Sequence, residues 1–199
     1  MMNEERNQAV TPAEEMRQCR GDCPAPAPLK GEMLPAGDRE VLRARALLET
    51  MTPLREDCGH LCGGACCRSQ PGEETGMLLF PGEECLYEGL PGYRLVPTAQ
   101  GTLLLCSGHC RREERPLACR LFPLLPVVRD GTIRVTMDAR AAAVCPLYRM
   151  GRGGLCAEFT EAVRACGQLL LRDETQAAFL VQLTRAHDEL KQLQKQFGG

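Results

Sequence analysis

Thirteen of the 199 residues are cysteine, and eight of them crowd into two runs with few large apolar neighbours. The first run reads Cys58-Gly59-His60-Leu61-Cys62-Gly63-Gly64-Ala65-Cys66-Cys67. The second holds Cys106-Ser107-Gly108-His109-Cys110, then Cys119, and a last partner arrives at Cys145-Pro146. A segment of glycine and cysteine from Cys58 to Gly76 cannot bury enough apolar surface to order itself and needs an external crosslink. Spacings of two to four residues let a turn aim two sulfurs at one ion, and the glycines permit the backbone angles that wrapping requires.

What those thiols do depends on the compartment. The chain opens Met-Met-Asn-Glu-Glu-Arg-Asn-Gln, without the basic start and apolar run of an export signal, which predicts a cytoplasmic protein. Its apolar stretches, Met77 to Phe80, Leu103 to Cys106 and Leu121 to Val128, fall far short of the roughly 18–20 residues that span a bilayer, so no membrane association is expected. In a reducing cytosol persistent disulfides are rare and clustered thiols more often hold metal or do redox chemistry. The odd count argues further against a pure disulfide framework. Twenty-four Lys and Arg against 26 Asp and Glu give a net charge of -2, which excludes a general polyanion binder, and no nucleic-acid partner is expected.

Along the chain, residues 1–37 read as a disordered tail, with Cys23-Pro24-Ala25-Pro26-Ala27-Pro28 inside it. Asp38 is placed to cap a helix whose Val41, Leu42, Arg45, Leu48 and Met51 share one face before Pro53. Strands are predicted at Met77 to Phe80, Tyr93 to Val96 and Thr102 to Leu105. A further hairpin joins Val127 to Arg129 with Thr132 to Met137 around Asp130-Gly131. After Gly154, Phe159, Val163, Cys166 and Leu170 recur at helical spacing. From Asp173 a longer helix carries Phe179, Leu183, Ala186, Leu190, Leu193 and Phe197 on one seam, suited to packing on its own domain or to a partner helix. The expected architecture is α+β: a small, irregular, metal-stapled domain over 38–150 with short β-hairpins and an N-terminal helix, and a C-terminal helical hairpin over 151–199 packed on it. No nucleotide-binding β-α-β unit and no solenoid repeat is present in the pattern.

The candidate metal ligands are therefore Cys58, Cys62, Cys66 and Cys67 in one set, and Cys106, Cys110, Cys119 and Cys145 in the other. Four thiolates suit zinc and an iron–sulfur centre equally. His60 and His109 lie inside the clusters as alternative ligands, hydrogen-bond donors to sulfur, or loop residues. Arg111, Arg112, Arg115 and Arg120 surround the second cluster, where guanidinium groups offset the negative charge of a thiolate centre. Arg115 and Arg120 are the nearest candidates for that supporting role. Cys19 and Cys23 fall in the tail, and Cys85, Cys156 and Cys166 read as packing residues. Glu83 and Glu84 read as surface carboxylates and His187 as solvent-facing.

Arg115-Pro116-Leu117-Ala118-Cys119-Arg120-Leu121-Phe122-Pro123 resembles the Arg-Pro-x-x-Cys-Arg-x-Phe/Tyr-Pro signature of the YkgJ-type cysteine-cluster proteins. Cys106, Cys110 and Cys145-Pro146 also fall where that family keeps cysteines. The first cluster departs from it, with three residues rather than two between Cys58 and Cys62 and between Cys62 and Cys66, while the terminal Cys66-Cys67 pair is kept. The resemblance covers roughly residues 58–146 and implies a zinc- or iron-chelating module. Some longer relatives look like flagellin lysine N-methylases.

Three functions follow as expectations. One is a non-catalytic metal-binding protein; another is an iron–sulfur enzyme of redox or methyl-transfer type. The third is an interaction module that presents the last helix to a protein partner with metal as scaffold. No nucleophile–base pair or paired catalytic carboxylates stand out, so the sequence nominates no catalytic residue.

Overall fold

The computed structural model describes residues 36–56, 58–68, 76–108 and 111–197, and the expected tail lies almost wholly outside them. Helix α1 spans Ala36–Leu47, so it begins two residues ahead of Asp38 and ends well before Pro53. Val41, Ala44 and Leu48 are fully buried, as the apolar spacing requires. The short helix α2, Gly59–Cys62, carries the first cysteines and leads into a 3₁₀ turn at Ala65–Cys67.

Two small antiparallel sheets follow. The first contains β1 (Gly76–Leu78), β2 (Tyr93–Thr98) and β3 (Gly101–Cys106), in the order β1-β3-β2. Register pairs Tyr93 with Cys106 and Thr98 with Gly101, placing the turn at Ala99-Gln100. Helix α3, Leu117–Leu121, then leads to the hairpin of β4 (Leu124–Arg129) and β5 (Thr132–Met137). Its two turn residues, Asp130 and Gly131, both have positive φ, the conformation that lets a two-residue turn match the twist of its strands. Strand β4 begins three residues ahead of the expected Val127 because Leu124, Leu125 and Pro126 are buried on both faces and show no alternation.

Helix α4, Ala141–Val144, ends at Cys145; α5 spans Ala157–Leu170 and α6 spans Glu174–Phe197. Helix α5 packs on α1 and on both strands of the second hairpin, while α6 lies along β4. One continuous core results, running from Val41 and Leu48 through Phe80, Leu124 and Val135 to Phe159, Leu170 and Leu180. Each such side chain, fully removed from water, contributes about 1.5–3 kcal/mol. A small satellite of Leu79, Tyr87 and Leu104 sits beneath the three-stranded sheet. The described residues of 58–68 contribute no fully buried side chain. The fold is thus mixed helix and strand. No helix among the described residues is long and apolar enough to cross a membrane.

Candidate functional site

The cysteine segment has no core of its own, so its surroundings must be held by other means, and a buried polar network does this. Arg45, on the apolar face of α1, donates from Nη1 to Glu83 Oε1 at 2.7 Å and to Tyr87 Oη at 3.0 Å. Its Nη2 reaches the Glu113 carbonyl at 3.2 Å. Glu83 is 0% exposed, which corrects its expected place on the surface. Its carboxylate also accepts the amide hydrogens of Phe80 at 3.1 Å and Leu117 at 2.9 Å, so one side chain ties α1, the 80–87 turn and the start of α3 together. Burial raises the Glu83 carboxyl, and Arg45 with the two amides opposes that shift. Burial also pushes the Tyr87 phenol up to about 12, so it stays protonated and donates to the Glu114 carbonyl at 2.7 Å.

The arginines of the second cluster complete the frame. Arg120 donates to the carbonyls of Arg45 at 3.1 Å, Arg115 at 2.9 Å and Glu113 at 2.8 Å. Arg112 reaches the carbonyls of Glu49 at 2.7 Å and Met51 at 2.5 Å, closing the end of α1. Burial and the nearby Arg45 push the Arg120 guanidinium down to about 10, still charged at neutral pH. Arg111 lies on the surface, 2.5 Å from Glu114. Arg120 and Arg112 thus spend their donors on backbone carbonyls, where a planar fork binds several at once. Arg140, which sequence reasoning overlooked, is oriented by Asp138 at 2.6 Å and reaches Met77 Sδ at 3.5 Å.

On this frame the thiols converge. Gly63 and Gly64, both at positive φ, end α2 and turn the chain so that Cys66 and Cys67 follow directly. Cys66 Sγ and Cys67 Sγ lie 3.8 Å apart, and the Cys62 thiol donates to the Cys58 carbonyl at 3.7 Å. The hydrogen bond shared with Cys67 lowers the pKa of the Cys66 thiol, and burial opposes that shift. Burial raises the pKa of the Cys145 thiol. Helix α4 packs against the Ala65–Cys67 turn. The loop of the second cluster meets the first through backbone: a Cβ at Gly108, which has positive φ, would run into the Cys67 carbonyl.

Cys145 directly follows α4, the helix that packs on the Ala65–Cys67 turn. Cys106 ends β3 opposite Tyr93. Cys110, His109 and the side chain of His60 lie outside what is described. None of the described cysteines is joined in a disulfide. Among the described residues, no three His, Cys, Asp or Glu side chains already stand in a metal-coordinating arrangement.

Cys156 and Cys166 are buried in the core, and burial raises the Cys166 thiol strongly, which suits an inert packing role. Cys85 is exposed and donates to the Gly82 carbonyl at 3.2 Å, so its expected packing role is not realised. His187 is buried, against expectation, and its Nδ1 accepts the Ala139 amide hydrogen at 3.2 Å. Arg45 was the legible signal for the hidden network, since a charged residue within an apolar helical stripe needs a buried partner. No protein-family model, no curated protein and no solved structure matches the chain.

Proposed function

We propose that the protein is a metal-binding module that chelates zinc or iron through clustered cysteine thiolates, as the resemblance to the YkgJ-type proteins implies. One observation carries this reading: Cys58, Cys62, Cys66, Cys67, Cys119 and Cys145 are unbridged and not fully buried, and the first four lie on a short segment whose described residues bury no side chain completely. Buried thiols with only a packing role would lie inside the hydrophobic core, as Cys156 and Cys166 do. The thiols lose their protons on chelation, and the loops close as they bind, so ligation and local folding share one free energy. Arg45, Glu83 and Arg120 hold α3 in place.

The test is metal and acid-labile sulfide content, with an ultraviolet–visible spectrum, on protein purified without oxygen. Bound zinc with a blank visible spectrum, or iron with a visible band, is the expected result, and Cys66→Ser and Cys119→Ser are expected to lose it. A fully folded protein that carries no metal and takes up none overturns the reading. The enzyme alternative has no specific observation in its favour.

A further inference from the structure

We propose that Cys66 and Cys67 form a redox modification site, at which a small disulfide of the glutathione class oxidises the two adjacent thiols to a reversible Cys66–Cys67 disulfide. This goes beyond chelation, and its chemistry needs no metal.

Three observations lead here. The two sulfurs lie 3.8 Å apart, in hydrogen-bond contact, so the pair is already assembled on the Ala65–Cys67 turn. Cys66 is exposed and Cys67 half-buried, so an oxidant arriving from solvent meets the Cys66 sulfur first and finds the Cys67 sulfur beside it. Redox-responsive cysteines are commonly accessible and stand next to a resolving thiol in this way. The turn also has room to adjust, because no described residue of 58–68 is fully buried and Gly63 and Gly64 lead into it at positive φ.

The electrons balance in two exchanges. Cys66, as its thiolate, attacks one sulfur of the small disulfide; a mixed disulfide forms, the small S–S bond breaks, and one small thiol leaves with the proton that Cys66 gave up. Cys67, also as thiolate, then attacks the Cys66 sulfur, forming the Cys66–Cys67 bond and releasing the second small thiol with the Cys67 proton. Two protein thiols are oxidised and one small disulfide is reduced to two thiols. The product is strained, since consecutive Cα atoms stand about 3.8 Å apart, below the roughly 4.4–6.8 Å that disulfides span. Strain and exposure make a disulfide easily reduced, the property of a switch rather than of a staple. On the chelation reading, oxidation also withdraws two thiolates from the donor set.

The experiment uses the full chain, reduced and then held without oxygen in excess chelator, so that no metal competes for sulfur. Oxidised glutathione is added, remaining thiols are trapped with iodoacetamide at intervals, and fragmentation of each peptide reads the state of every cysteine. The expected result is that Cys66 and Cys67 lose alkylation together, carry no glutathione, and recover fully with dithiothreitol. Cys67→Ser is expected to stop at a stable mixed disulfide on Cys66. In concentrated urea, where the turn is lost, the Cys66–Cys67 bond is expected to form more slowly. Three outcomes overturn the proposal: both thiols still alkylated when exposed Cys85 has taken up glutathione, glutathione persisting on Cys66 in the unaltered chain, or a bond from Cys66 to any other cysteine. Equal rates in urea and in buffer overturn the part assigned to the folded turn. The chelation reading is untouched by any of these, because metal content is measured separately on protein purified without chelator.

Discussion

Replacing Glu83 with Gln leaves the Arg45 guanidinium buried beside a neutral amide. Removing one charge of a buried pair costs about 3–5 kcal/mol, so urea denaturation of Glu83→Gln is expected to show a loss of that order. A cost below about 1 kcal/mol, the range of surface pairs, would mean that the pair is solvated. His187 gives a pH dependence. Burial lowers its pKa, Lys191 and Arg129 lower it further, and Asp138 and Asp188 oppose them. The neutral ring accepts the Ala139 amide hydrogen. Below the ordinary value of 6.5 the unfolded chain therefore binds a proton that the folded chain refuses. Stability from this group is present above that pH and is lost as pH falls through the lowered folded value. The stability advantage over His187→Gln is expected to shrink from about pH 6.5 downward, measured by denaturation at several pH values. An advantage that is constant between pH 7.5 and pH 5 would contradict it. Neither residue's burial was legible from its own type, because Glu and His are more often exposed and only tertiary neighbours reveal their partners.

Helix α5 carries Gly167 where it crosses the second hairpin, and a Cβ there would lie 2.7 Å from Pro126 Cβ and 2.9 Å from Ile133 Cγ2. Ala is better than Gly in a helix by about 1 kcal/mol, but overpacking a filled contact costs typically 1–3 kcal/mol. Both opposing atoms belong to the hairpin that α5 packs upon, so the steric cost is expected to win. Gly167→Ala should lower thermal stability, and a rise would show that the hairpin yields. The last helix behaves differently along its length. Gln176, Phe179, Leu180, Leu183, Thr184 and His187 are buried, whereas Ala186 is exposed and Phe197 is 81% exposed. The seam read from the sequence was partly right because Phe179 and Leu183 do face the core. It erred beyond them because α6 outruns the body it packs on, and spacing alone carries no information about where the opposing surface ends. Phe197→Ala is accordingly expected to change stability by no more than about 0.5 kcal/mol in denaturation experiments.

At the scale of the whole molecule, the described residues of 58–68 add no fully buried side chain to the apolar core. On the proposed function, zinc stabilises the folded chain by mass action, about 2.7 kcal/mol when free metal is a hundredfold above Kd. Calorimetry is expected to show a rise in Tm on adding zinc and its return with excess chelator, whereas an unchanged Tm in zinc-replete buffer would argue against metal-coupled folding. Much of this architecture was readable in advance: strands and turns from alternation and Asp130-Gly131, helices α1, α5 and α6 from apolar spacing, and the thiols from their clustering. These features are set by neighbours a few residues away, so local sequence determines them. Tertiary structure alone decided that Glu83 lies under α1, that Arg112 and Arg120 serve backbone carbonyls, and that α4 packs on the Ala65–Cys67 turn. Those pairings join segments far apart in the chain, and their energies depend on the burial and low dielectric that exist only once the core has closed.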